Sequence, residues 1–221
     1  MTMAFDFTSV LNQWPLLLSG MLTTLLMTVL ATGLGLTLGI ACGWSRAQGP
    51  RWLKPVVGVY IEVFRNTPYI VQLFFIFFGL PAMGWKMSAL TASVMSLVLN
   101  LGAYAAEITR AGIESTPRSQ LEAAQSLALN RWQIFTRVVL PPALARVWPA
   151  LVSQVIIIMF VSAVCSQIYT EELSYSANLI ASRSFRNFEA YIVATVLYLG
   201  LAVAVRQGLN WFGPRFIFGR K

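Results

Sequence analysis

Histidine is absent from the 221 residues, cysteine occurs twice, and charged residues make up 11% of the chain, against roughly 25% in soluble domains. Without histidine the usual zinc ligand is missing, and so is the usual general base near neutral pH. Cys42 and Cys165 lie within or at the edge of apolar runs and make no metal-ligand spacing. No G-x-x-x-x-G-K-[ST], G-x-S-x-G or H-E-x-x-H pattern occurs, so the chain builds no P-loop and offers none of these hydrolytic centres. Gly33-Leu34-Gly35 has no strand around it and is no dinucleotide fingerprint.

What the chain has is grease. Apolar residues make up 57%, and the mean hydropathy is +0.68. No charge falls between Asp6 and Arg46, Arg65 and Lys86, Lys86 and Glu107, Arg146 and Glu171, or Glu189 and Arg206. Most of these gaps approach or exceed the roughly 20 apolar residues that cross about 30 Å of hydrocarbon. They predict an all-α integral membrane protein, one domain over 1–221, with about five spans near 15–43, 57–80, 87–108, 144–168 and 189–211. The N-terminal MTMAFDFTSV has an acid and no basic segment, so the run after it reads as a retained first span rather than a signal peptide.

Five spans put the termini on opposite faces, and Lys/Arg asymmetry selects the orientation. With the N-terminus outside, the inner face receives thirteen cations: Arg46, Arg51, Lys54, Arg65, Arg110, Arg118, Arg131, Arg137, Arg146, Arg206, Arg215, Arg220 and Lys221. The outer face receives Lys86, Arg183 and Arg186. The predicted topology is N-terminus out, C-terminus in. The formal charge of +8 then serves anionic lipid and inner-face contacts rather than a nucleic acid.

Polar residues inside the spans are costly unless they face the bundle or a wet path. Ala31, Gly35, Gly39 and Gly43 fall four apart, a small-residue face for close helix packing. Glu62 and Arg65 are spaced to pair at i,i+3. Thr67-Pro68 reads as an N-cap with Pro at the first helical position. Pro68 to Leu80 is 13 residues, about 20 Å of helix and too short to cross alone. The span therefore needs Val56–Phe64 as well, with a bend or break near Asn66. Asn100, Tyr104 and Glu107 form one stripe, with Glu107 placed to pair with Arg110 or Arg146. Gln72, Asn100, Tyr104, Gln154 and Ser162 are the candidate residues of a solute path, with inter-helix hydrogen bonding as their simpler role. A lid-like helix is predicted from about Glu171 to Ser182.

One stretch breaks the pattern: LEAAQSLALNRWQIFTRVVLPPAL, Leu121 to Leu144. Ser119-Gln120-Leu121-Glu122 fits a capping box, and Asn130-Arg131-Trp132-Gln133 fits a second. Leu121, Ala124, Leu127 and Ala128 share one face, and Trp132, Phe135 and Val139 continue it. Two short amphipathic helices are predicted over about 117–140, closed by Pro141-Pro142 before the fourth span. A DNA-reading helix-turn-helix has a similar rhythm but would not be tethered to lipid at both ends. A docking element that fits a groove on an inner-face partner suits the placement.

This stretch resembles the EAA loop of bacterial ABC importer permeases: EAA, three residues, Gly, nine residues, a branched apolar residue, any residue, then LP. Glu122-Ala123-Ala124, Val138 and Leu140-Pro141 match; Ala128 stands where the family has Gly. Since Ala disfavours positive φ, the bend is expected at Leu129-Asn130. YIEVFRNTPYIVQLFFIFFGLP, LNLGAYAAEITRAGIESTP, RWQIFTRVVLPPAL and SRSFRNFEAYIVATVLYL resemble the polar amino acid branch of the family. The resemblance implies a permease subunit in the bacterial inner membrane that moves a polar amino acid or related small zwitterion. It implies two ATPase subunits that carry ATP and Mg, a second permease chain, an external substrate-binding protein, and no cofactor on this chain. The ATPase-coupling residues would be Glu122, Ala123, Ala124, Leu127, Ala128, Asn130 and Arg131. Relatives commonly read Lys-Asp-Thr-Ser where this chain has Phe160, Val161, Ser162 and Ala163, so either its solute site differs or, the favoured reading, a sister permease supplies the charges. The rival reading is a channel or sensor subunit that uses the loop only for assembly. A membrane enzyme is disfavoured by the missing motifs, and a secondary transporter by the lack of an inverted repeat.

Overall fold

The computed structural model describes residues 6–217. Arg220 and Lys221 of the inner-face count, and the first five residues of the N-terminal segment, lie outside them. After a single turn at Thr8–Leu11 the chain forms eight helical elements. These are α1 (Trp14–Gln48), α2 (Leu53–Asn66), α3 (Tyr69–Ala82), α4 (Ala89–Glu114), α5 (Arg118–Ser126), α6 (Arg131–Ile168), α7 (Leu173–Ser184) and α8 (Asn187–Phe212). Four are long and apolar enough to cross a membrane, and there are five spans if α2 and α3 make one broken span. Five were expected, at nearly these positions.

The predicted break is present. The backbone is extended at Thr67 (φ −118°, ψ 145°), and the Thr67 hydroxyl donates to the Val63 carbonyl at 2.7 Å. Helix α3 starts at Tyr69, one residue later than an N1 proline would place it. The predicted Glu62–Arg65 pair does not form: Glu62 takes a long bond from Asn66, 3.5 Å, and Arg65 approaches Glu107 instead, at 3.8 Å. The i,i+3 spacing permitted the local pair, but the acid on α4 attracts the guanidinium away from its own helix.

The chain divides into two compact units, each drawing on parts of the long helices. The first comprises described residues 6–31 with 69–97 and 156–205. Its core gathers Leu17, Met159, Leu173, Ile180, Ala190 and Leu201. Glu172 caps α7: its carboxylate accepts from the backbone of Ser174 (2.9 Å) and Tyr175 (2.7 Å) and from the Tyr198 hydroxyl (2.6 Å). The side chain is fully buried, and that burial holds its pKa above the ordinary carboxylate value, opposed by those hydrogen bonds. The predicted lid-like helix is thus a capped element that begins at Leu173 and ends at Ser184. Gly20 sits so close to Ser176 and the Glu172 backbone that no side chain fits there.

The second unit comprises 32–68, 98–155 and described residues 206–217. Here the small-residue face of α1 meets α4. A Cβ on Gly39 would lie 2.5 Å from the Ala105 Cβ, and one on Gly43 would lie 2.7 Å from the Ala106 carbonyl oxygen. Backbones this close gain dispersion contacts along the whole crossing, the force that remains when lipid is as apolar as leucine. The Tyr60 hydroxyl donates to the Leu99 carbonyl at 2.6 Å and ties α2 to α4.

Filling the tightest of these contacts should break the crossing. Gly39→Val should lower stability by about 1–3 kcal/mol, the usual cost of overpacking. Gly33→Ala, with nothing within 4 Å of the added carbon, should not. Thermal unfolding of the purified protein in detergent checks the pair; equal midpoints would contradict the close-packed crossing.

Candidate functional site

The loop 118–140 belongs wholly to the second unit. Helix α5 begins after Pro117, which is extended (φ −60°, ψ 137°) and makes no side-chain cap. The capping box expected at Ser119 does not form. Proline ends the preceding turn, so the helix starts at Arg118 and Ser119 falls inside it. The second box does form: Asn130 Oδ1 accepts from the Gln133 amide and Gln133 Oε1 from the Asn130 amide, both at 2.9 Å.

Between them the chain turns at Ala128, not at Leu129-Asn130. Ala128 has φ +56°, its amide donates to Gln125 O (2.9 Å), and the Leu129 amide donates to Ala124 O (3.3 Å). Those two bonds make a Schellman ending, which satisfies orphan carbonyls and needs a left-handed residue at that position. Leu129, partly buried against the cluster that holds Ala124 and Phe135, favours the turn and offsets the strain on an alanine. The sequence argument weighed the strain alone.

The second short helix is also corrected. Arg131–Gln133 runs without interruption into the fourth span, through a π-helical stretch at Ile134–Val139. Pro141 and Pro142 do not close it. Their rings would crowd the carbonyls of Arg137 and Val138, and the wider π turn at those residues makes the room.

The loop has two faces. Ala124, Ile134, Phe135 and Val139 are buried with Ile113 and Ala143. Trp44 packs on Phe135 and Trp132 with ring centroids 5.8 and 6.5 Å apart. Of the residues expected to meet a partner, Glu122, Ala123, Leu127, Ala128, Asn130 and Arg131 are exposed, with Leu127 at 74%. Ala124 is 4% exposed and holds the loop to the unit instead. The Glu122 carboxylate makes no hydrogen bond or ion pair among the described residues. Beside this face a groove of about 590 Å³ is lined by residues that include Trp44, Gln125, Arg131 and Trp132.

The five solute-path candidates are divided between the units. Gln72 and Ser162 are buried in the first, where the Ser162 hydroxyl donates to its own Met159 carbonyl at 2.6 Å. Phe160 is 46% exposed and lies edge-on to Tyr198 with ring centroids 6.2 Å apart. Asn100, Tyr104 and Gln154 belong to the second unit. Of these only Tyr104 lines a cavity of about 240 Å³, with Arg46, Glu62, Arg65 and Glu107 among its other walls. Glu107 pairs with Arg110 at 2.8 Å, as expected, while Arg146 bonds the Ser115 hydroxyl. Sequence reasoning had not joined these charges into one site. The signal available was their clustering at span ends, but their meeting depends on the approach of α2 to α4.

Residues 35–218 match the family model described as a binding-protein-dependent transport system inner membrane component. The glutamine transport system permease protein GlnP of Escherichia coli K12 is 36% identical over 199 residues, covering 89% of this chain and 91% of that protein. A probable amino-acid ABC transporter permease protein, PatM of Vibrio harveyi, is 33% identical over 212 residues, 95% of each. A crystal structure of an amino acid ABC transporter with histidines superposes with TM-score 0.85 and 36% identity, covering 97% of this chain and 100% of that chain.

The turn at Ala128 carries a strain that substitution reads out. A left-handed L-residue costs about 1–2 kcal/mol, and glycine gives back part of the relief as chain entropy, about 0.4–1 kcal/mol. Ala128→Gly should therefore raise the thermal midpoint slightly, and Ala128→Val should lower it. The reverse order would contradict the turn.

Proposed function

The chain belongs to the binding-protein-dependent transport system inner membrane component family, and from that premise we propose that it is the membrane-spanning permease subunit of an ATP-driven importer for a polar amino acid or related small zwitterion. Members of this family are multi-pass inner-membrane proteins that work with ATPase subunits, a partner permease and a substrate-binding protein; the hydrolysis takes place on the ATPase chain. Two copies of the ATPase meet the inner face, where ATP and Mg bind them and not this chain. The second permease is a related sister that contributes the charge missing at Phe160 and Val161. The N-terminus lies outside and the loop 118–140 inside, as the thirteen-to-three distribution of cations favours.

The observation that carries this reading is the division of the loop into a buried face and an exposed one. Ala124, Phe135 and Val139 anchor it to the second unit. Glu122, Leu127, Asn130 and Arg131 are left for a partner. An apolar side chain as exposed as Leu127, flanked by polar groups, suits insertion into a groove. Because the anchoring is apolar and capped at both turns, closure of the ATPases moves the loop as a rigid body and rocks the helices attached to it. The solute path then opens alternately to the binding protein and to the cytoplasm.

Leu127→Asp and Glu122→Lys change the exposed face and leave the anchor intact. Each should cut ATP-driven amino acid uptake into proteoliposomes at least tenfold, with the subunits still assembled or their assembly weakened. Full uptake by both variants would remove the coupling role. Uptake by the unaltered complex without ATP would favour a channel that uses the loop only for assembly.

A further inference from the structure

The cavity in the second unit concentrates charge that a chain with eight acids in all can hardly spare. Its charges are not evenly matched. The Glu107 carboxylate is taken up by Arg110, which donates from Nη2 at 2.8 Å and from Nε at 3.2 Å. Arg65 reaches the same carboxylate only at 3.8 Å, and its guanidinium lies over the Tyr104 ring, 5.5 Å from the centroid. Arg46 makes no salt bridge among the described residues. Its Nη1 donates to the Lys54 carbonyl at 3.3 Å, and its buried Nε has no hydrogen-bond partner among the described residues. Gly58 leaves room for this guanidinium: a Cβ there would come within 2.8 Å of Arg46 Nη1. Among the described residues Glu62 has only the long bond from Asn66.

A buried guanidinium donor without an acceptor is an expensive thing to maintain unless something fills it. Guanidinium presents planar donors that match a carboxylate fork, which an ammonium does not. The Tyr104 face holds the Arg65 plane in position and leaves its edge donors available. Across the same small cavity, Glu62 is exposed and makes no ion pair among the described residues.

We propose that this cavity binds the α-amino acid zwitterion itself, with Arg46 and Arg65 receiving its carboxylate and Glu62 its ammonium. The site deepens the permease reading and rests on it. It lies in the unit that carries the coupling loop, so a solute held there is released when that loop moves. The polar contacts are all to the backbone-like end of an amino acid, so the site selects the class and not the side chain.

The test uses the complete complex of both permeases and the ATPases, without nucleotide, in nanodiscs of phosphatidylcholine. Radiolabelled L-glutamine, L-glutamate and L-arginine are titrated, and for each that binds, its α-carboxamide analogue as well. Binding should weaken at least tenfold in Arg46→Gln and in Arg65→Lys, the second of which keeps the charge and loses only the fork. The carboxamide should bind at least tenfold more weakly than the acid. Binding within twofold of the unaltered complex in both variants overturns the site, as does equal binding of the carboxamide, or no binding of any of the three. A second arm adds phosphatidylglycerol. If that lipid raises the thermal midpoint of the unaltered complex but not of Arg46→Gln, while amino acid binding is the same in both, the cavity holds a lipid headgroup and the proposal falls. ATP-driven uptake of the same amino acids separates the two levels: uptake with unaltered variant binding rejects the site alone, and no uptake of any amino acid rejects the permease reading as well.

Discussion

Ala124, Ile134, Phe135 and Val139 press onto Ile113 and Ala143, and Trp44 closes the edge of that contact against Phe135 and Trp132. Burying each of Ile113, Ile134, Phe135 and Val139 is worth about 1.5–3 kcal/mol relative to exposure. The contact therefore fixes the loop far more firmly than any of its surface groups could. The Schellman ending of α5 and the Asn130–Gln133 box then satisfy the backbone at both sides of the turn. In the proposed mechanism such an element transmits force, with apolar packing and satisfied turns between its exposed face and the helices behind it.

The same economy governs the spans of the second unit. Glycines on α1 bring its backbone against α4, and the Tyr60 hydroxyl ties α2 to the Leu99 carbonyl. The charged groups at Arg46, Arg65 and Glu107 add longer polar links between the same helices, Arg46 to the Lys54 carbonyl at 3.3 Å and Arg65 to Glu107 at 3.8 Å. They also line a cavity, where their imperfect pairing is a chemical resource. These groups sit at the ends of their spans, where a charge costs less than in the hydrocarbon, and they face the cavity.

Much of this was legible in the residues. Gaps between charges such as Asp6 and Arg46 placed the spans, because hydrocarbon excludes ions over a known thickness. The 13-residue stretch after Pro68 revealed the break, and Asn130 with Gln133 revealed the second cap. The rest depended on neighbours distant in sequence. Ala128 adopts a left-handed turn that lets Leu129 pack, partly buried, against the cluster behind the loop, a fact no local propensity carries. Pro141 and Pro142 looked like a stop, yet the π turn ahead of them lets the helix continue. Arg65 chose Glu107 over Glu62, and Glu172 was not singled out because its burial depends on Tyr198 and Thr24 approaching from other helices.

The central claim is that the exposed face of the loop meets an ATPase on the inner side of the membrane. Cys42 and Cys165 are buried, so a single exposed thiol introduced as Leu127→Cys reports on that face alone. A membrane-impermeant maleimide applied to inside-out and right-side-out vesicles gives the answer. The account predicts labelling only in inside-out vesicles, and loss of that labelling when the ATPase subunits are bound. Labelling from the outside of right-side-out vesicles would contradict it.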